Sequence, residues 1–131
     1  MHITLESDYA IRIVHTLARE DKRMDAKTIS EQTGVTLRFS LKILRKLVTD
    51  GIVKSYKGAQ GGYELAKPAN EISLRNVIEA VEGEYRFSRC LSEGYACTRE
   101  HSGKCKFQAA FDEISGIVRD KLDTYTFDKL I

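Results

Sequence analysis

The stretch Thr36–Leu65, TLRFSLKILRKLVTDGIVKSYKGAQGGYEL, decides how this chain folds. Thr36 carries the short hydroxyl side chain that caps helices, because it can accept a hydrogen bond from an N–H that the first turn leaves unpaired. Phe39, Ile43, Leu44, Leu47 and Val48 then recur at spacings of three and four. That period puts one apolar stripe along a helix, facing inward. Arg38, Lys42, Arg45 and Lys46 fall mostly on the remaining surface, and the helix is expected to stop at Gly51. Two strand-like runs follow, residues 52–56 and 62–65, joined by Lys57-Gly58-Ala59-Gln60-Gly61. Glycines there permit a tight loop that comes close to another backbone. Working outward, Asp25 can cap a preceding helix, AKTISEQT, which ends at Gly34. The order is helix, turn, basic helix and two-stranded wing.

Charge gives this order a meaning. Residues 38–57 hold six basic side chains against one acid, Asp50. A DNA duplex presents regularly spaced negative charge, and a protein that grips it needs Lys and Arg on one surface. An exposed basic helix fits the major groove, and a wing reaches the adjacent groove or backbone. The plain alternative is a solvated amphipathic helix followed by a hairpin. Turn, second helix and basic wing in sequence favour DNA.

With 131 residues, 42% hydrophobic and 31% charged, the composition is that of a globular protein of one domain or one domain with an appended element. No run approaches the roughly 18 apolar residues of a membrane span. The opening MHITLESDYAIRIVHTLARE lacks the pattern of a signal peptide, so cytoplasmic residence is expected. An odd count of three cysteines agrees with a reducing compartment. Residues 1–70 carry a net +4 and residues 71–131 a net −2, which suggests a basic reading half and a second half with another task.

Residues 4–20 form a further amphipathic pattern, with Tyr9, Ala10, Ile13, Val14, Leu17 and Ala18 on one face and an Asp8–Arg12 pair on the other. Ser73 caps SLRNVIEAVEG, which stops at Gly83. Residues 84–105 lose periodicity and contain all three cysteines. From Lys106 to about Tyr125 the helical period returns, with Phe107, Ala110, Phe111, Ile114, Ile117, Val118 and Leu122 as an apolar stripe. Such a stripe is too rich for a peripheral helix on a small domain, so a two-fold homodimer is expected, which would set two reading helices on successive half-sites. The tail TYTFDKLI adds a last apolar turn with Phe127 and Leu130. The fold class is therefore mainly α with a small β-wing. Its expected division is a winged helix-turn-helix domain over 1–83, a cysteine-containing sensor loop over 84–105 and a dimerisation helix with its tail over 106–131.

Cys90, Cys97 and Cys105 are separated by six and seven residues, and none forms the two-residue spacing of a zinc knuckle or thioredoxin-like motif. Three thiols in one loop, with Arg89, Arg99, Lys104 and Lys106 nearby, are open to an iron–sulfur cluster, a zinc site that includes His101, or thiols acting alone. An enzyme has little support, because no cysteine has a legible His and acid arrangement.

The opening SDYAIRIVHTLA, the helix pair AKTISEQTGVTLRFSLKILRKLVTDGIV, the wing KSYKGAQGGYELAKP, the segment ISLRNVIEAVEG and the three-cysteine loop before a final long helix resemble one family throughout. This is the family of winged-helix regulators that includes IscR, NsrR, RirA and CymR, often called the Rrf-two family. The resemblance implies a homodimeric transcription factor bound to double-stranded DNA at a palindromic operator, switched by redox state, nitric oxide or iron–sulfur status. It implies that Cys90, Cys97 and Cys105 match the cysteines that hold a two-iron or four-iron cluster in the cluster-bearing members. Some relatives take the fourth ligand from a carboxylate near the start of the partner subunit's first helix, and Asp8 stands at that position. Others use a histidine after the third cysteine, where this chain has KFQAAFDEIS, so Asp8 is preferred and His101 is second. Relatives with a cluster more often have five residues between successive cysteines. A cluster-free member, sensing oxidants through its thiols or answering a partner or small molecule, is the alternative. For DNA, Thr36, Arg38 and Lys42 are assigned to the major groove, Lys57 and Gln60 to the wing contact, and Lys54 and Tyr56 to phosphates.

Overall fold

Local capping sets the helix boundaries in the computed structural model, which describes residues 2–98 and 105–131. Helix α1 (Leu5–Glu20) begins where Thr4 accepts from the Ser7 N–H and ends at Asp21, which takes the left-handed conformation. Helix α2 (Ala26–Thr33) is capped by Asp25, whose carboxylate accepts from the Thr28 N–H at 2.7 Å, and stops at the left-handed Gly34. Those two hydrogen-bonding ends leave only a short turn before α3 (Leu37–Thr49), where Thr36 accepts from the Phe39 N–H at 3.3 Å. The Asp25, Gly34 and Thr36 assignments made from sequence coincide with the observed caps.

Strands β1 (Val53–Tyr56) and β2 (Gly62–Leu65) pair antiparallel, with Val53 opposite Leu65 and Tyr56 opposite Gly62. Met24, just before α2, joins β2 through two backbone bonds with Tyr63, at 2.9 and 2.7 Å. The wing is thereby stitched to the start of the helix-turn-helix. Two of its glycines are required by close approach: a Cβ on Gly61 would meet the Tyr56 carbonyl oxygen at 2.5 Å, and one on Gly62 would meet the Met24 carbonyl oxygen at 2.6 Å.

Helix α4 (Leu74–Glu82) starts in a capping box in which Ser73 and Asn76 satisfy each other's backbone N–H. It packs on α1, and Thr4 Oγ1 and Ser7 Oγ donate to the Glu82 carboxylate at its end. The core lies between α1, α3, α4 and the base of the wing, with Ile13, Val14, Leu17, Ile43, Leu44 and Val77 fully enclosed.

Three features depart from the sequence reading. Phe39 is 42% exposed instead of inward, and meets Tyr9 of α1 edge to face at 5.9 Å between ring centroids. Lys46 is drawn in, its Nζ bonded to Glu6 Oε1 at 2.7 Å and to the Val81 carbonyl at 3.2 Å. The tail is part of the core: Phe127 is 1% exposed, and its N–H donates to the Ile72 carbonyl at 3.0 Å.

Helix α5 (Lys106–Asp123) is fixed at its far end by this tail and by Asp123, which accepts from Ser73 Oγ at 2.9 Å and from Arg75 at 2.8 Å. Its apolar stripe splits in two. Phe111, Val118 and Leu122 are half-buried beside the buried Ser115, whereas Phe107, Ala110, Ile114 and Ile117 are exposed. Among the described residues no helix is long and apolar enough to cross a membrane.

Candidate nucleic-acid interface and cysteine site

The inner face of α3 is fixed by Ser40, Ile43, Leu44 and Leu47, all buried. A helix with that face buried must turn residues 38, 42 and 45 outward. Arg38, Lys42 and Arg45 are accordingly exposed, and Thr36 stands exposed at the helix start. Lys42 Nζ lies 3.9 Å from Glu6 Oε1, a distance of weak attraction only, so its charge remains available to an outside anion.

Beside this face the wing presents Lys54, Lys57 and Gln60, all exposed. Tyr56 behaves differently. Its hydroxyl donates to Glu64 Oε1 at 2.5 Å, and this carboxylate holds the phenol above its usual range. The register explains the pair, since Glu64 is the diagonal neighbour of Tyr56 on one face of the hairpin. The Tyr56 hydroxyl is thus engaged within the wing itself. Arg23, in the loop between α1 and α2, completes the arrangement. Its guanidinium lies 3.4 Å from the Tyr56 ring centroid, donates to the Gln60 carbonyl at 3.1 Å and sits 3.9 Å from Glu64. Sequence reading missed Arg23, because its partners lie more than 30 residues away and leave no local pattern.

The described part of the cysteine segment, residues 84–98, is tied to α5 by specific contacts. Phe87 packs on Phe111 at 5.3 Å and its N–H donates to Ser115 Oγ at 2.8 Å, while Arg119 donates to the Tyr85 carbonyl at 2.6 Å. A 3-10 turn, Arg89–Leu91, then carries Cys90, whose carbonyl accepts from Gln108 Nε2 at 3.0 Å. Cys105 is the N-cap residue of α5, without a side-chain capping bond. All three cysteines line one cavity of about 640 Å³, together with Arg89, Tyr95 and Phe111. Asp8 is not on that lining; it pairs with Arg12 at 2.9 Å on α1, as the spacing implied. Among the described residues no three His, Cys, Asp or Glu side chains gather closely enough to hold a metal ion. His101, the second candidate for a fourth ligand, lies outside the described residues, as do Arg99 and Lys104.

A helix-turn-helix with a basic outer face and a stitched glycine-rich wing defines a winged-helix protein of the transcription-factor type. Residues 3–131 match the Rrf2 family, described as iron-dependent transcriptional regulators, and the chain belongs to this family. It is 30% identical to the transcriptional regulator IscR of Pectobacterium carotovorum, covering all of this chain and 79% of that one. It is likewise 30% identical to the protein aau3 of Rhizobium meliloti, covering all of this chain and 85% of that one. The solved structure of CymR, the global cysteine regulator of B. subtilis, shares the fold with a TM-score of 0.74 at 22% identity, over 99% of this chain and 95% of that chain. These relatives make the chain a transcriptional regulator and not an enzyme.

Proposed function

We propose that two copies of the chain pair through α5 and grip a palindromic DNA operator, with α3 and the wing of each copy on one half-site, and that the cysteine cavity sets the state of the pair. The observation that carries this reading is the exposed apolar row of Ala110, Ile114 and Ile117 on α5, whose four-three spacing is that of helices packed side by side. Two-fold pairing would set the α3 helices against successive major grooves, about 34–36 Å apart. Arg38 and Lys42 would then read base edges, Thr36 and Lys54 would meet phosphates or bases at the margin, and Lys57 and Gln60 would reach from the wing. The division of labour follows: residues 1–83 read DNA, 84–105 sense, and 106–131 pair, with Phe127 tying the pairing helix to the reading core. The protein acts in the cytoplasm, where its operator is.

Three thiols lining one cavity, beside the positive end of α5 and Arg89, support a thiolate-ligated centre that would draw them together on binding. In this reading Cys90, Cys97 and Cys105 hold an iron–sulfur cluster of two or four irons, and Asp8 from the other copy completes the set. A bound cluster supplies sensitivity to oxidants, nitric oxide or cluster supply; the chain's own residues supply its place between the copies. A cluster-free reading, in which the thiols sense oxidants directly, is favoured by the lack of a close ligand group among the described residues. Visible absorption with iron and acid-labile sulfide analysis, on protein purified without oxygen, separates the two. A brown protein with matched iron and sulfide, bleached by Asp8→Ala, is the expected result. A colourless, iron-free protein after attempted reconstitution moves sensing to the thiols.

A further inference from the structure

The recognition face of α3 is not purely basic. Leu37 is 46% exposed and Leu41 is 39% exposed, although both sit on a helix that buries four other residues completely or nearly so. Four residues apart, they are stacked neighbours on one side of the helix. They border the strip that carries Arg38, Lys42 and Arg45. Phe39, the other exposed apolar residue of this helix turn, is accounted for by its contact with Tyr9. No comparable partner accounts for the two leucines within the described fold. A second copy of the chain is a poor occupant, because pressing this face on its like sets cations against cations. A polyanion with apolar points on its surface fits.

We propose that Leu37 and Leu41 read thymine, by packing against its C5-methyl group in the major groove. The inference rests on the DNA-binding reading and adds the base preference. The methyl is the one apolar feature of the groove edge, whereas Arg38 and Lys42 can donate to guanine N7 and O6. The leucines occupy the first turn and the start of the second turn of α3, and N-terminal residues of a recognition helix are those that meet base edges. Charged side chains thus hold the backbone and guanine, and the leucines distinguish T·A from C·G beside them. Thymine supplies the methyl and cytosine does not.

The test replaces thymine by uracil, which removes the methyl and leaves every hydrogen-bonding group in place. A preferred duplex is first selected from random sequences with the full chain, and each thymine is then changed singly. At one or two positions uracil is expected to weaken wild-type binding by about threefold, the effect of one buried methyl. Leu41→Ala should bind thymine and uracil duplexes equally at its position, and Leu41→Met, which keeps the apolar volume, should still discriminate. Because both leucines are exposed, the variants are expected to keep the wild-type melting temperature; Leu37→Ala serves as the second variant should Leu41→Ala unfold. Indifference of the wild type to uracil everywhere, or discrimination that survives both alanine variants, would overturn the proposal while leaving DNA binding intact. Failure of the wild type to enrich any duplex would overturn the DNA-binding reading itself.

Discussion

Helices α3 and α5 are both amphipathic, and they are finished in opposite ways. On α3 the inner apolar side is closed by the protein's own core, and what remains outside carries the cations Arg38, Lys42 and Arg45 beside a few apolar side chains. On α5 only Ser115 is fully buried, and an apolar row of Ala110, Ile114 and Ile117 faces outward, with Ile117 at 62% exposure. Burial of such a seam would yield roughly 25 cal/mol for each Å² of apolar surface. On α3 the exposed apolar surface is shared with cations, which gain from an anionic lattice. The contrast teaches that one chain holds two exposed faces of different chemistry, one bearing cations and one apolar, and the proposed function gives the first to DNA and the second to another copy.

The sharpest way to break the contrast is to free α5 from the core. Phe127→Ala removes a fully enclosed ring and should cost about 3–5 kcal/mol, a large share of the stability of an ordinary domain. A shift of the denaturant midpoint below half its wild-type value is expected; a loss under 1 kcal/mol would mean that the tail is not part of the core. A gentler break touches only the seam. Ile117→Asp should leave the melting of each copy's core nearly unchanged, halve the mass in solution, and weaken operator binding by on the order of 100-fold through loss of the second reading head. Unchanged mass by light scattering would place the contact between copies elsewhere.

On the DNA side, Arg23 tests whether the wing must be held as well as charged. Arg23→Ala should reduce operator affinity about tenfold, and Arg23→Lys by nearly as much, because lysine lacks the planar group that lies on Tyr56. Footprinting should show protection lost beneath the wing and kept beneath α3; full rescue by lysine would reduce Arg23 to a plain phosphate contact. The smallest effect concerns the Asp25 cap. Hydrogen bonds from the Thr28 backbone N–H and then the Thr28 side chain hold its carboxyl below the ordinary value of 3.8. A group with a lowered folded-state pKa contributes stability above its unfolded pKa and loses it as pH falls through the folded one. Asp25→Ala should therefore lower the melting temperature slightly at neutral pH, and the difference from wild type should fade as pH drops through the lowered folded-state value. A difference that persists in acid would assign the effect to packing.

Much of this was legible in the sequence because it is local. Asp25, Gly34, Thr36 and Ser73 act within three or four residues of their positions, and the α3 stripe is read from its own period. What escaped depends on residues far apart. Phe39 fits the inward period, yet Tyr9 on another helix holds it at the surface. Arg23 reaches the wing across the fold, and Phe127 enters the core by pairing with Ile72. The thiols illustrate both cases. Their common cavity joins residues that spacing alone left unrelated, whereas the role given to Asp8 needs a second copy of the chain.

The most direct measurement is the mass of the native chain in solution at micromolar concentration, alone and on its selected duplex. Pairing through α5 is expected to give twice 14.8 kDa in the free state and two chains on each duplex. A single chain of 14.8 kDa in both states would contradict it, and would leave the exposed seam without the partner on which the switch depends.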